Sequence, residues 1–177
     1  NFLNFLLSKQ SGIEEIIGID KLENTYSLKN KDLTIQKDNF KFIQEDIVNI
    51  NELEDDIKDV DAVFNFAAET HVDNSIVDSD EFIHSNINGV HNLLELIRNY
   101  RQEGKDIPTL LHFSTDEVYG DIADGAHVEG DLLKPSNPYS ATKAAAEHLV
   151  SAYSNTFDLP YKMIRMSNNY GPRQHDE

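Results

Sequence analysis

The chain has 177 residues, enough for a domain with one buried core and too few for two ordinary ones. Hydrophobic residues make up 39% and charged residues 27%, the balance of a globular chain and not of a disordered or collagen-like one. The formal charge of −17, from 15 basic and 32 acidic residues, opposes broad contact with nucleic-acid phosphates, and zero cysteines exclude disulfides and thiolate metal sites. No apolar run is long enough for a membrane-spanning helix, and no basic segment followed by an apolar one reads as a signal peptide. The seven histidines show no paired ligand spacing, so no metal is expected, and the missing cysteines fit a reducing, cytoplasmic location.

Phe2, Leu3, Phe5, Leu6 and Leu7 recur at helical spacing before Ser11 and Gly12, which predicts a helix with a stop. Glu15 to Asp20 is a short β-branched run ending in an acid, as in a buried parallel strand, and a polar loop follows through Asp38. Phe40 to Asp46 reads as a second strand, Asn51 to Lys58 as an acidic surface helix, and Asp61 to Ala68 as a third strand. From Asp80 to Tyr100 the apolar residues keep helical spacing, with Ser79 or Asp80 as cap, which predicts the longest helix. Thr109 to Ser114 is a strand, Gly120 to Asn137 a loop, Pro138 to Phe157 an alanine-rich helix opened by proline, and Tyr161 to Met166 a last strand.

Strands alternating with helices imply βαβ units and a doubly wound α/β fold, its parallel sheet covered on both faces. In such a dinucleotide-binding sheet the first strand is central, and a Gly-rich turn after it aims a helix N-terminus at the pyrophosphate. The sequence contains no such turn. A helix followed by a strand ending at Asp20 is the order expected just downstream of one, with Asp20 placed to accept from the adenosine ribose hydroxyls. Without that central strand, the strands at Glu15 and Asp61 would each lack a neighbour, so upstream residues supplying it are expected. Residues 1–177 therefore read as a partial dinucleotide-binding domain, truncated at its beginning.

Tyr139 and Lys143 stand four apart at the start of a helix, so they share one face. A cation there favours tyrosinate, lowering the phenol's pKa so that Tyr139 can take a proton from a sugar hydroxyl. Spacing of this kind also occurs on exposed helices that do nothing. Ser114-Thr115-Asp116-Glu117-Val118-Tyr119-Gly120 lies at the carboxyl end of a predicted strand, where such sheets hold ligands. Asp116 and Glu117 are either a solvated turn or an acid and a base whose protonation the surroundings split.

Ser-Thr-Asp-Glu-Val-Tyr-Gly at Ser114, Pro-Tyr-Ser-Ala-Thr-Lys at Pro138 and Ser-Asn-Asn-Tyr-Gly-Pro at Ser167 together resemble the nucleotide-sugar 4,6-dehydratases of the extended short-chain dehydrogenase superfamily, the dTDP-glucose and UDP-glucose enzymes. The likeness extends to Gly-Ile-Asp-Lys-Leu at Gly18, Glu-Asp-Ile at Glu45, Ala-Ala-Glu-Thr-His-Val-Asp at Ala67 and Ser-Asn-Ile-Asn-Gly at Ser85. It implies NAD as cofactor and a nucleoside-diphosphate glucose as substrate, dehydrated to the 4-keto-6-deoxy sugar for deoxysugar biosynthesis. By the same resemblance Tyr139 is the base of the oxidation step, Lys143 orients it, and Thr115 bonds the hydroxyl on carbon 4. Glu117 takes the proton from carbon 5 while Asp116 protonates the hydroxyl leaving carbon 6. The family contacts its cofactor at positions matching Asp20, Asp46, Ile47, Phe66, Ala67, Ala68, Ser85 and Ser167, and its substrate at those matching Thr70 and Asn168. Asn86 reads as a helix-bending polar residue and is not placed in the site.

The chain departs from the family where the Gly-rich turn is absent and where Arg173-Gln174-His175-Asp176-Glu177 follows Gly171-Pro172, which leaves the nucleotide base open. The substrate lobe of the family would lie beyond Glu177. A 4-epimerase or decarboxylase of the same superfamily shares the Tyr-Lys pair and usually lacks the Asp-Glu pair. A third reading is an inactive binding or assembly module. The resemblance also implies a homodimer through a helix bundle built on the helices near Asp80 and Pro138.

Overall fold

The computed structural model describes residues 2–8, 12–22, 38–57, 59–104 and 106–171. The chain divides into two compact units, Asn1–Asp46 with Asn168–Glu177, and Ile47–Ser167. In the first unit, helix α1 (Phe2–Ser8) buries Leu7, and strands β1 (Ile16–Asp20) and β2 (Phe40–Gln44) run parallel with Ile16 opposite Phe40 and Asp20 opposite Gln44. Ser11 of the predicted helix stop, and most of the loop expected before Asp38, lie outside the described residues.

The second unit opens with a 3-10 segment, Ile47–Leu53, and a single turn of helix, α2 (Glu54–Ile57). The acidic helix expected over residues 51–58 is thus reduced to its middle. Ile47, Val48, Asn49, Ile50 and Asn51 are all weaker helix formers than alanine or leucine, which favours the tighter turn before Glu54. Strand β3 (Ala62–Asn65) stops short of the predicted Ala68, because the Asn65 side-chain oxygen accepts from the Ala67 amide at 3.2 Å and turns the chain out of the sheet. Helix α3 (Val72–Val77), which the periodicity did not predict, follows.

The predicted helix from Asp80 forms in three pieces: α4 (Asp80–Ile83), a π-helical segment (His84–Gly89) and α5 (Val90–Gln102). Its first amide is met by Asp78 Oδ1 at 3.0 Å, since neither Ser79 nor Asp80 makes a side-chain cap. The wide segment brings Gly89 so close to Ile47 that a side chain there would collide. The longest uninterrupted helix is instead α6 (Pro138–Phe157), as bounded by the sequence reading. Asn137 and Ser140 close a reciprocal capping box around its proline, which the sequence reading had not singled out.

Strands β3, β4 (Thr109–Thr115) and β5 (Tyr161–Met166) form a parallel sheet with β4 in the middle. The architecture is Rossmann-like, parallel sheets with helices, as expected. Among the described residues β1 and β3 each bond one strand only. Burial alternates along β4: Leu110, His112 and Ser114 are buried, while Leu111 and Phe113 are half-buried. Val90, Leu94 and Ile97 of α5, with Ala146 and Val150 of α6, are also buried.

His112 is 1% exposed, and its Nδ1 lies 3.3 Å from Asn65 Nδ2. Burial first, then the charge of Lys143, pushes its pKa down from 6.5 to about 3. Stability linked to this group is fully present above pH about 6.5 and is lost as pH falls toward about 3, on the order of 5 kcal/mol in all. In the full-length protein, denaturant midpoints for wild type should therefore fall more steeply below pH 6.5 than those of His112→Gln. Equal slopes would contradict a neutral buried His112.

Candidate active site

Strand β4 ends at Thr115, whose extended backbone caps a four-residue 3-10 turn, Asp116–Tyr119. The Thr115 Oγ1 accepts from the Glu117 amide at 3.2 Å and donates toward Asp116 Oδ1 at 3.4 Å. Asp116 is exposed and Glu117 half-buried, so the acidic pair stands at the strand end with its carboxyls reachable. A cavity of about 370 Å³ opens beside both, closed on one side by Tyr119, Ile122 and His127.

Helix α6 delivers Tyr139 and Lys143 to the same strand end. Asn137, its N-cap, donates from Nδ2 to Glu117 Oε2 at 3.1 Å, so the first residue before the helix grips one of the acids. The Tyr139 phenol lies close enough to the Thr115 hydroxyl to feel it, and the Tyr139 amide donates to Ser75 Oγ at 3.1 Å. Lys143 is 5% exposed, and its Nζ donates to the Phe113 carbonyl of β4 at 2.7 Å. Thr115, Asp116, Glu117, Tyr139 and Lys143 are thereby brought together.

The expected lowering of the Tyr139 pKa is not what the structure shows. Burial raises it, the hydrogen bond from Thr115 opposes the rise, and the charges of Glu117 and Asp116 add to it. Lys143 has turned its ammonium to the Phe113 carbonyl, and burial lowers its own pKa to about 8 against the opposing pull of Glu147. A buried ammonium that loses its hydration gives up its proton more readily.

Of the other residues expected in the site, Ile47, Phe66, Ala67, Ala68, Thr70, Ser85 and Ser167 belong to the second unit. Phe66, Ala67 and Ala68 leave the carboxyl end of β3, with the Phe66 ring stacked on Phe113 at 3.9 Å and 48% exposed. Ser85 lies buried in the π-helical segment, and its hydroxyl, like that of Ser114, has no hydrogen-bond partner. Thr70 and Ser167 are exposed, and Ile47 is half-buried. Asp20, Asp46 and Asn168 belong to the first unit. Asp20 ends β1, and its Oδ1 accepts from the Leu22 amide at 2.7 Å, the turn-forming bond common for a strand-terminal aspartate. The Asp46 amide donates to Glu45 Oε1 at 2.9 Å.

The profile of the GDP-mannose 4,6-dehydratase family matches residues 1–177, the entire chain. The chain belongs to that family. Its relatives include the low-salt glycan biosynthesis protein Agl12 of Haloferax volcanii, 41% identical across 100% of this chain and 55% of that protein. The dTDP-glucose 4,6-dehydratase of Neisseria gonorrhoeae is 43% identical across 95% of this chain and 51% of its own length. Among solved structures, the dTDP-glucose 4,6-dehydratase DesIV of Streptomyces venezuelae, crystallised with NAD, superposes with a TM-score of 0.84 and 32% identity over 99% of this chain and 55% of its own. The UDP-glucuronic acid 4-epimerase of Bacillus cereus, also with NAD, gives a TM-score of 0.87 and 32% identity over 98% and 54%. The chain thus spans about half the length of these proteins.

In this member of the GDP-mannose 4,6-dehydratase family, several site residues escaped sequence reasoning. Asn86, read as a helix-bending residue, instead holds both backbone groups of Glu69 with its side-chain amide, at 2.8 and 3.0 Å, and reaches Thr142 Oγ1 of α6 at 2.9 Å. It thereby fixes the loop that presents Thr70. Asn137 carried a readable signal, a capping residue directly before Pro138 with Ser140 three positions on. Ser75 carried none, because the helix that holds it was not predicted.

Gly120 ends the acidic turn at φ 81°, and a side chain there would overlap the Lys134 carbonyl oxygen. Gly125 also has positive φ, at 90°, but open space around it. Gly125→Ala should cost about 1 kcal/mol from backbone strain alone, and Gly120→Ala at least ~2 kcal/mol more, read by chemical denaturation. Equal losses would mean that Lys134 yields freely and the turn is not clamped there.

Proposed function

We propose that the chain is the NAD-binding part of a nucleoside-diphosphate-glucose 4,6-dehydratase and carries its chemical groups. The observation that carries this reading is the Asp116–Glu117 pair beside Tyr139, near enough that both carboxylates act on the phenol and one is bonded to the N-cap of its helix. An enzyme that only oxidises and reduces a sugar carbon has no need of two further carboxyls there. Elimination of water needs both a base and an acid.

The residues present fit NAD. The buried hydroxyls of Ser85 and Ser114 have no protein partner, and the row Phe66 to Ala68 lies at the carboxyl end of a parallel strand, where such folds hold dinucleotides. Ser85, Phe66, Ala67, Ala68 and Lys143 are assigned to the cofactor, with Ile47 and Ser167. NAD supplies the oxidising and reducing capacity that makes the dehydration redox-neutral.

Once substrate and cofactor have replaced water and Tyr139 has ionised, its Oη accepts the proton of the sugar hydroxyl on carbon 4, and Thr115 holds that hydroxyl through its Oγ1. The Lys143 ammonium, held on the Phe113 carbonyl one helical turn from Tyr139, supplies positive charge at this end of the helix. With a carbonyl at carbon 4, the proton on carbon 5 becomes acidic, and Glu117 removes it. Asp116 gives its proton to the hydroxyl on carbon 6, which leaves as water when the bond between that carbon and its oxygen breaks. Thr70 contacts the sugar nucleotide.

The resemblance to the Bacillus cereus 4-epimerase supports a second reading, in which the product keeps its hydroxyl on carbon 6. Full-length protein given dTDP-glucose or UDP-glucose should release a 4-keto-6-deoxy sugar, seen by its absorbance in alkali. Glu117→Gln should lower kcat by roughly 100-fold or more, as expected when a general base is removed, with little change in KM. A full-rate Glu117→Gln enzyme would refute the assigned role, and an epimerised hexose as sole product would establish the alternative. The same preparation should be a homodimer by light scattering, built on α5 and α6. Residues 1–177 alone should bind NAD weakly by calorimetry, since their sequence contains no Gly-rich turn. A chain without cysteine fits a reducing, cytoplasmic setting.

A further inference from the structure

Arg165, on β5, is gripped at several points that the proposed reaction does not use. Its Nε donates to both carboxylate oxygens of Glu147 at 3.0 and 3.1 Å, and its Nη2 to one of them at 2.7 Å. Its Nη1 donates to the Glu129 carbonyl at 3.0 Å and bonds the Tyr119 hydroxyl. The guanidinium carbon stands 4.7 Å from the Tyr119 ring centre, and the same ring stacks on His127 at 4.9 Å. Glu147 is 2% exposed.

The positions of the partners give this cluster its meaning. Glu147 lies one helical turn past Lys143 and two past Tyr139, on the same side of α6. Tyr119 closes the turn that carries Asp116 and Glu117. A buried ion pair contributes little net stability compared with apolar packing, because desolvation offsets the attraction. What a forked guanidinium does well is fix angles and distances between the groups that it bonds. The 20-residue α6 is anchored along its length, whereas the four-residue turn rests on a few contacts, so loosening Arg165 displaces the turn first.

We propose that Arg165, held by Glu147 and stacked on Tyr119, is a positioning residue that sets the Asp116–Glu117 turn against the Tyr139–Lys143 helix. It governs water elimination more than the preceding oxidation. The inference rests on the dehydratase reading above. The strong hydrogen bonding of Glu147 raises the guanidinium's pKa further, so the cation stays charged at any working pH.

The test uses full-length protein, with Arg165→Lys, Tyr119→Leu and the double variant compared in single turnovers of dTDP-glucose. Arg165→Lys keeps a charge but loses the fork and the stack, and Tyr119→Leu leaves the buried ion pair intact should the first variant fold poorly. Each single variant should form reduced cofactor within ~3-fold of the wild-type rate while eliminating water at least ~10-fold more slowly, so that reduced cofactor accumulates at unchanged KM. The double variant should be no slower than about the worse single one, since both break one linkage. Thermal unfolding of the cofactor-free variants should show the same non-additivity. Equal slowing of both half-reactions, or additive losses, would overturn the positioning role while leaving the dehydratase reading standing. Wild-type enzyme that makes no 4-keto-6-deoxy sugar would overturn that reading, and this inference with it.

Discussion

Helix α6 is fastened to the carboxyl end of β4 at successive points. Asn137 bonds Glu117, Tyr139 meets Thr115, and one turn later the Lys143 ammonium donates 2.7 Å to the Phe113 carbonyl. Because β4 is the middle strand of its sheet, its end is held by neighbours on both sides. A phenol on a helix and two carboxyls on a turn can address a single hexose only if helix and strand keep this register. The capping box of Asn137 and Ser140 fixes where the helix begins, and with it the direction in which Tyr139 enters.

The electrostatics follow from the same fastening. A chain with a formal charge of −17 nonetheless buries a lysine and a histidine within one sheet-facing layer. The histidine gives way, staying neutral far into the acid range, and the lysine keeps a carbonyl partner and a carboxylate one turn along its helix. Tyr139, facing two acids, is harder to ionise than a free tyrosine. The site without ligands is therefore set against proton loss from the phenol, and substrate and cofactor must shift that balance as they replace water.

Much of this was legible in the residues. The pattern located every described strand and bounded α6, although β2 and β3 end before their predicted limits, and the order of Ser114 to Gly120 ahead of Pro138 to Lys143 placed the chemistry at strand and helix ends. The rest depended on contacts between distant residues. The π-helical segment reflects the close approach of Gly89 to Ile47, 42 positions away by number, and helix α3 is too short and too β-branched to show a period. The direction of the Tyr139 shift is not legible in the spacing of Lys143, because burial of the phenol dominates it and the Phe113 carbonyl holds the nearby cation. Arg165 and Glu147 are 18 residues apart in different elements, and no local pattern joins them.

The account's central claim is that the acids and the phenol act on one sugar in one turnover. Running the full-length enzyme on dTDP-glucose in deuterated water tests it directly, by locating deuterium in the product by NMR. A methyl group at carbon 6 with solvent deuterium on carbon 5 is the predicted result, because Glu117 takes that proton and exchanges it. A product that keeps its carbon 6 hydroxyl and shows no deuterium at carbon 5 would contradict the account.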